Sequence, residues 1–263
     1  PVDALSLGRH RAVAALTRLE ASSGALLDVA VALGDREAVG LGRRLAELVH
    51  RAFERLSGHR FLRGFVGAVG SRAASGSAAV LGIANACDPL RGALLALGDA
   101  ILAHQGHLAG LGSIDAATAH AWGASGAVLL ASCEGAGAAR PAGDVLARVE
   151  AWLSRGLEAL DAIRRDAGAL VTSDGRVRSN QVPQRLLGRE VDAQGEMPAG
   201  PSAVSSGWGI ASVDAGSGIE LAFVRLEEGR VARLALRPPS LPHWGIAQLA
   251  LTGATEDDVG LVL

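Results

Sequence analysis

Tyrosine is absent from this 263-residue chain, and phenylalanine and tryptophan number only 4 each. With aromatics at 3% and hydrophobic residues at 49%, alanine, leucine and glycine have to build the core. Such side chains favour closely packed helices over an aromatic-rich β-sandwich. The length is enough for one large domain or two modest ones with a substantial core.

Cysteine is as scarce. Cys87 and Cys133 are the only two, far apart in sequence. A disulfide framework, a zinc knuckle and a cysteine-ligated iron–sulfur cluster all need more thiols, and reduced thiols fit a cytoplasmic setting. Net charge is only -2, so no global field recruits nucleic acid or an anionic membrane. No signal peptide is visible, and no unbroken apolar run reaches the roughly 20 residues that span a bilayer.

What is present is helical periodicity. Residues 5–33 form an alanine- and leucine-rich stretch ended by Gly34-Asp35. From Arg36 to Leu56, Leu45, Leu48, Val49, Phe53 and Leu56 recur at helical spacing, with Gly58 as the stop. Asp88-Pro89 predicts an N-cap followed by proline in the first turn, opening a helix to about His107. A short helix over Asp115–Trp122 closes at Gly123, and residues 134–143 read as a loop. Leu146, Val149, Leu153, Leu157 and Leu160 form the clearest amphipathic stripe, with Arg148, Glu150, Arg155, Glu158 and Asp161 opposite. Residues 171–208 read as a surface excursion. A β-hairpin follows, with Leu221 and Phe223 paired to Val231–Leu236 about Glu228-Gly229, then a closing helix over Trp244–Thr252. The expected fold is mainly α: a helical bundle over 1–170, then residues 171–263 carrying the excursion, a small antiparallel β element and the closing helix.

Few motifs carry chemistry alone. "GLGSID", Gly110 to Asp115, follows a helix instead of a strand and lacks the third glycine, so it reads as a loop with a helix cap. His104 and His107 share a helix face without a third metal ligand nearby and read as solvated or capping. Cys133 has no histidine beside it in sequence and reads as an inert small residue. His59, Arg60 and Arg63 follow a helix C-terminus, where the macrodipole alone accounts for cations. Arg237-Pro238-Pro239-Ser240 leaves the hairpin in a rigid extended stretch.

Four blocks in order nevertheless resemble one family, the D-type subunit of respiratory complex I and the related large subunits of membrane-bound nickel–iron hydrogenases. "ERLSGHRFLRGFVGAVG", Glu54 to Gly70, is similar to the family's helix end, basic turn and Arg-Pro-Gly-Gly loop. "GSIDAATAHAWGASGAVLLAS", Gly112 to Ser132, is similar to its segment leading to Gly-x-(Ser/Thr)-Gly. Gly143 to Ala167 resembles the long helix that opens Gly-Asp. The stretch from Ser212 to Gly253 resembles the Val-Glu-x-Pro-x-Gly hairpin and Arg-x-Pro-Ser segment.

The departures remove chemistry. No Cys-x-x-Cys pair is present to hold nickel and iron, and Gly67-Ala68-Val69-Gly70 lacks the loop's arginine. Leu130 stands at the expected arginine and Cys133 at the glycine; "EGAGAARPAG" shortens the Asp-Leu-Arg region. The family's metal- or quinone-binding N-terminal block would fall before Pro1, and its C-terminal segment beyond Leu263. The resemblance therefore implies a divergent scaffold subunit of a membrane-associated multi-subunit oxidoreductase, with no catalytic, cofactor-binding or metal-binding residue of its own. His59, Arg60, Arg63 and Arg237 would be interface residues toward an iron–sulfur subunit whose cluster the partner carries. The chain would then sit peripherally on the cytoplasmic face of the cell membrane. Two alternatives stay open: a subunit lining a quinone pocket, and a free-standing structural or assembly protein.

Overall fold

The computed structural model describes residues 4–63, 65–67, 70–71, 82–133, 142–169 and 206–262. The fold is mainly α with a small antiparallel sheet near the C-terminus, as the composition and periodicity predict.

Four long helices enclose the core. These are α1 (Ala4–Ala32), α2 (Arg36–Ser57), α3 (Cys87–Leu102) and α7 (Val145–Ala169). α1 packs on α2 and α7, and α3 closes the ring by packing on both α2 and α7. Leu16, Leu19 and Leu26 of α1 meet Leu45, Val49 and Phe53 of α2, Leu90, Leu94 and Leu97 of α3, and Val149, Leu160 and Ile163 of α7. All twelve are buried, so the stripe on α7 is core, although Leu153 and Leu157 lie at its half-buried margin.

The helix ends follow local chemistry. Asp35 caps α2, its Oδ1 accepting from the backbone N–H of Glu37 at 2.9 Å and of Ala38 at 3.0 Å. Gly58 ends it in a left-handed conformation at φ 77°. The helix expected to start at the Asp88 cap begins instead at Cys87, and the Asp88 carboxylate pairs with Arg164 of α7. Nor does it run unbroken to His107. His104 leaves helical geometry at φ -94°, ψ 13° and its ring reaches the Asp35 carboxylate at 3.0 Å; a single turn, α4 (Gln105–Leu108), follows.

Two shorter helices, α5 (Ala116–Ala121) and α6 (Gly126–Ser132), precede α7. Of these only α5 was legible in the sequence. The two-residue strands β1 (Val66–Gly67) and β2 (Gly70–Ser71) pair after the α2 turn. The expected hairpin is present as β4 (Ile219–Glu227) and β5 (Arg230–Arg237), and β3 (Ser206–Asp214) pairs with β4 as a further strand. The order is β3-β4-β5, antiparallel throughout. The closing helix α8 (Ser240–Ala250) starts earlier than its apolar residues indicated, because Pro242 fits the first turn, where its missing N–H leaves no bond unmade. A 3-10 turn over Glu256–Asp258 leads to α9 (Val259–Val262).

The expected loop over 134–143 and excursion over 171–208 fall mostly outside the described residues; the last residues of the excursion, from Ser206, are strand β3.

Candidate functional site

The sequence features that resemble Gly-x-(Ser/Thr)-Gly and Gly-Asp converge in space. Gly126 opens α6 at φ 63°, and a Cβ there would meet the Ser217 carbonyl oxygen at 2.4 Å. Glycine lets the α6 start and the β3–β4 turn touch. Ser125, just before it, ties three elements together. Its Oγ accepts from the Ile219 N–H at 3.0 Å, and its own N–H donates to His243 Nε2 of α8 at 3.4 Å.

Asp144 and Arg148 form the second knot. Asp144 is buried and caps α7 by accepting from the Ala147 N–H at 2.8 Å; its other oxygen accepts from the Gly110 N–H at 2.8 Å. One helical turn later, Arg148 donates to the carbonyls of Gly112 at 3.1 Å and Val262 at 3.2 Å. The glycine loop that superficially suggests phosphate binding is thus a strap held by a buried carboxylate and a buried guanidinium. Burial pushes the Arg148 pKa down to about 10, partly offset by Asp144, which still leaves it fully charged at neutral pH. The helical-wheel expectation placed Arg148 on the exposed face. It is buried, because α9 and the Gly110–Gly112 strap cover that side of the α7 N-terminus.

Between these knots lies a cavity of about 240 Å³. Ala25 and Asp28 of α1, Val128 of α6, Arg148 and Trp152 of α7, and His243 of α8 are among its walls. His243 is held below its ordinary pKa chiefly by desolvation, and the Arg148 charge acts the same way. Its Nε2 accepts an amide proton, so the neutral ring with the proton on Nδ1 fits the site. The cavity falls below the roughly 300–1,000 Å³ typical of small-molecule pockets. Its guanidinium already serves backbone carbonyls, so the arrangement organises the fold more than it offers a free reactive group.

The interface candidates separate. Arg60 pairs with Glu47 of α2, whose carboxyl is held below its ordinary pKa, first by its hydrogen bond from Arg51. His59 is turned inward on its own loop, its Nδ1 accepting from the Phe61 N–H at 3.0 Å. Arg63 is exposed, as is Phe61 beside it. Arg237 lies elsewhere, at the end of β5 with its guanidinium near Gly123. The first three share one turn, whose positive charge comes from Arg60 and Arg63; Arg237 belongs to the sheet.

His104 and His107 also part, His104 to Asp35 and His107 to Asp258 at 3.3 Å. Among the described residues no group of three or more histidine, cysteine, aspartate or glutamate side chains is gathered to hold a metal ion. Cys133 does have a histidine, but one distant in sequence: His120 Nε2 lies 3.5 Å from its sulfur. No described helix is long and apolar enough to cross a membrane.

No protein-family model matches this chain, and no curated protein matches it. Solved structures do. The chain is similar to one chain of the membrane-bound sulfane sulfur reductase, an archaeal respiratory membrane complex, with a TM-score of 0.75. The two are 18% identical, and the match covers 100% of this chain and 73% of that one. The fold is shared.

Proposed function

We propose that this chain is a divergent, large-subunit-like component of a membrane-associated multi-subunit oxidoreductase of the complex I or membrane-bound hydrogenase type, acting as scaffold and docking subunit. The observation that carries the reading is the full-length structural likeness to a chain of a respiratory membrane complex. The four ordered sequence blocks point the same way. The scaffold role is supported by a site whose polar groups are spent on internal straps and by the scarcity of paired thiolates. An iron–sulfur subunit is the proposed partner, carrying the cluster itself and facing the cationic turn of His59, Arg60 and Arg63. With no spanning helix among the described residues, membrane attachment would come through partner subunits, on the cytoplasmic side.

Affinity purification of the tagged chain from detergent-solubilised membranes, followed by mass spectrometry, tests the reading. Co-purification of a small iron–sulfur protein and polytopic membrane subunits is expected. Recovery of the chain alone from every extract would overturn it.

A further inference from the structure

We propose that β5 is a docking edge that takes up an extended segment of a partner protein whose side chains alternate between apolar and acidic. This rests on the reading of the chain as a docking subunit, which supplies the partner.

The sheet is fastened at one end only. There Ser125 Oγ accepts from the Ile219 N–H, Arg155 grips the Asp214 carboxylate at 2.8 Å on both oxygens, and the Gly216 turn lies against Ala21. Beyond that end, no helix packs along the sheet among the described residues. β5 is one of its two outer strands, and all 8 of its residues are exposed. Its backbone edge, unpaired among the described residues, is a template for a further strand.

The strand's side chains specify which one. The pairing register, with a shift at Ala232, places Val231, Leu234 and Leu236 on one face beside Leu226, Val224 and Ala222 of β4. Arg230, Arg233 and Arg237 fall on the other face. The apolar three are 63%, 59% and 55% exposed, too bare for side chains of a finished sheet face. Arg225 of β4 pairs with Glu227, leaving Arg233 and Arg237 without an ion pair among the described residues. An added strand would set its own side chains directly opposite these, apolar against Val231, Leu234 and Leu236, acidic against Arg233 and Arg237.

Other occupants fit less well. A second copy joined edge to edge through β5, in the register that pairs Arg233 with Arg237, would place arginine against arginine. A lipid surface on the apolar face would leave the arginines pointing away from the headgroups. The alternating partner satisfies both faces.

The test uses the purified full chain and two synthetic peptides matched in length to the 8 residues of β5. One alternates valine with glutamate, the other valine with lysine. The glutamate peptide should bind, and its binding should protect from hydrogen exchange the outward-pointing β5 amides that are not bonded to β4. Both the lysine peptide and R233E/R237E should weaken binding about tenfold or more. The lysine peptide should in turn bind the R233E/R237E chain, a charge-swap rescue that a misfolded variant could not give. Equal binding of both peptides by the unaltered chain would overturn the proposal. So would outward-pointing β5 amides, those not bonded to β4, already protected in the free chain, or self-association that R233E/R237E abolishes. Failed peptide binding with intact co-purification would move docking away from β5; failed co-purification with successful peptide binding would count against the oxidoreductase complex alone.

Discussion

Leu153 of α7 seats its side-chain tip in the notch that Gly98 leaves on α3. A Cβ at Gly98 would stand 2.7 Å from Leu153 Cδ2, and the contact is reciprocated one turn along, where a Cβ at Gly156 would stand 2.8 Å from Leu94 Cδ2. Leucine from each helix fills a glycine gap in the other. This is how a core almost without aromatics reaches close packing.

Gly98→Ile should therefore cost about 1–3 kcal/mol through overpacking, read as a lower midpoint in urea with unchanged slope. The partner decides the sign of a smaller change. Gly98→Ala should be nearly neutral alone, since a helix-propensity gain of up to about 1 kcal/mol opposes the displaced leucine tip. In a Leu153→Ala background the same change should stabilise. Additive behaviour across that double-mutant cycle would show that the two residues do not touch.

Arg148→Met should destabilise by about 1–3 kcal/mol, because it leaves the Gly112 and Val262 carbonyls without their guanidinium donor. Asp144→Asn/Arg148→Met should lose less than the two single changes summed, since the attraction between the two buried charges is counted in each single variant. Chemical denaturation of the three chains measures both. Strictly additive losses would mean that the two charges do not act on one another and only the straps count.

His243 gives a pH dependence with a definite sign. Its folded pKa lies below the ordinary 6.5 because the charged ring is desolvated, so the unfolded chain binds the proton more readily. Stability from this residue is full above pH 6.5 and is lost as pH falls from there through the folded pKa. Protonation also ends the hydrogen bond from the Ser125 N–H. The urea midpoint should fall over this range in the native chain and stay flatter in His243→Gln. Matching profiles would place the titration elsewhere.

Asp35 acts in a lower window. Its carboxyl is held below the ordinary 3.8, first by the Ala38 N–H and then by His104. The cap's stabilisation is present above about pH 4 and lost as pH falls through the folded pKa. Asp35→Asn keeps an acceptor for the cap and removes the titration. Thermal unfolding at stepwise lower pH should therefore converge for the two chains; parallel curves would argue against the cap as a contributor to acid sensitivity.

The long helices were legible because their apolar periodicity spans several turns, and Asp35, Gly58 and Gly123 punctuate them as isolated residues can. Elements set by tertiary contact were not. In β3, Gly207 and Gly209 dilute the apolar alternation of Trp208 and Ile210, and the strand exists through pairing with β4. α6 is short, and its start depends on the Gly126 contact with Ser217. Of the Asp144–Arg148 knot only the Gly-Asp helix opening was visible, and the helical wheel put Arg148 on the outer face. That the guanidinium is buried depends on Val262, more than a hundred residues away. The same distance effect hid His120 from Cys133.

The cationic turn after α2 separates packing from docking in a single experiment. Arg60 already has Glu47 as its partner on the protein surface, whereas Arg63 is exposed. Neither supports the core, so Arg60→Gln and Arg63→Gln should leave the unfolding midpoint essentially unchanged. If an iron–sulfur subunit docks here, both guanidinium groups lose water on binding, and replacing both should weaken co-purification by roughly 2–5 kcal/mol. Arg63→Gln alone should cause the larger share of that loss, because Arg60 must first be drawn from Glu47 to serve the partner. Removing positive charge beside a cluster also disfavours its reduction, so the potential of a nearby cluster should fall in whatever complex the double variant still forms. A folded double variant that co-purifies normally, with an unshifted cluster potential, would reduce the turn to what the helix macrodipole explains by itself.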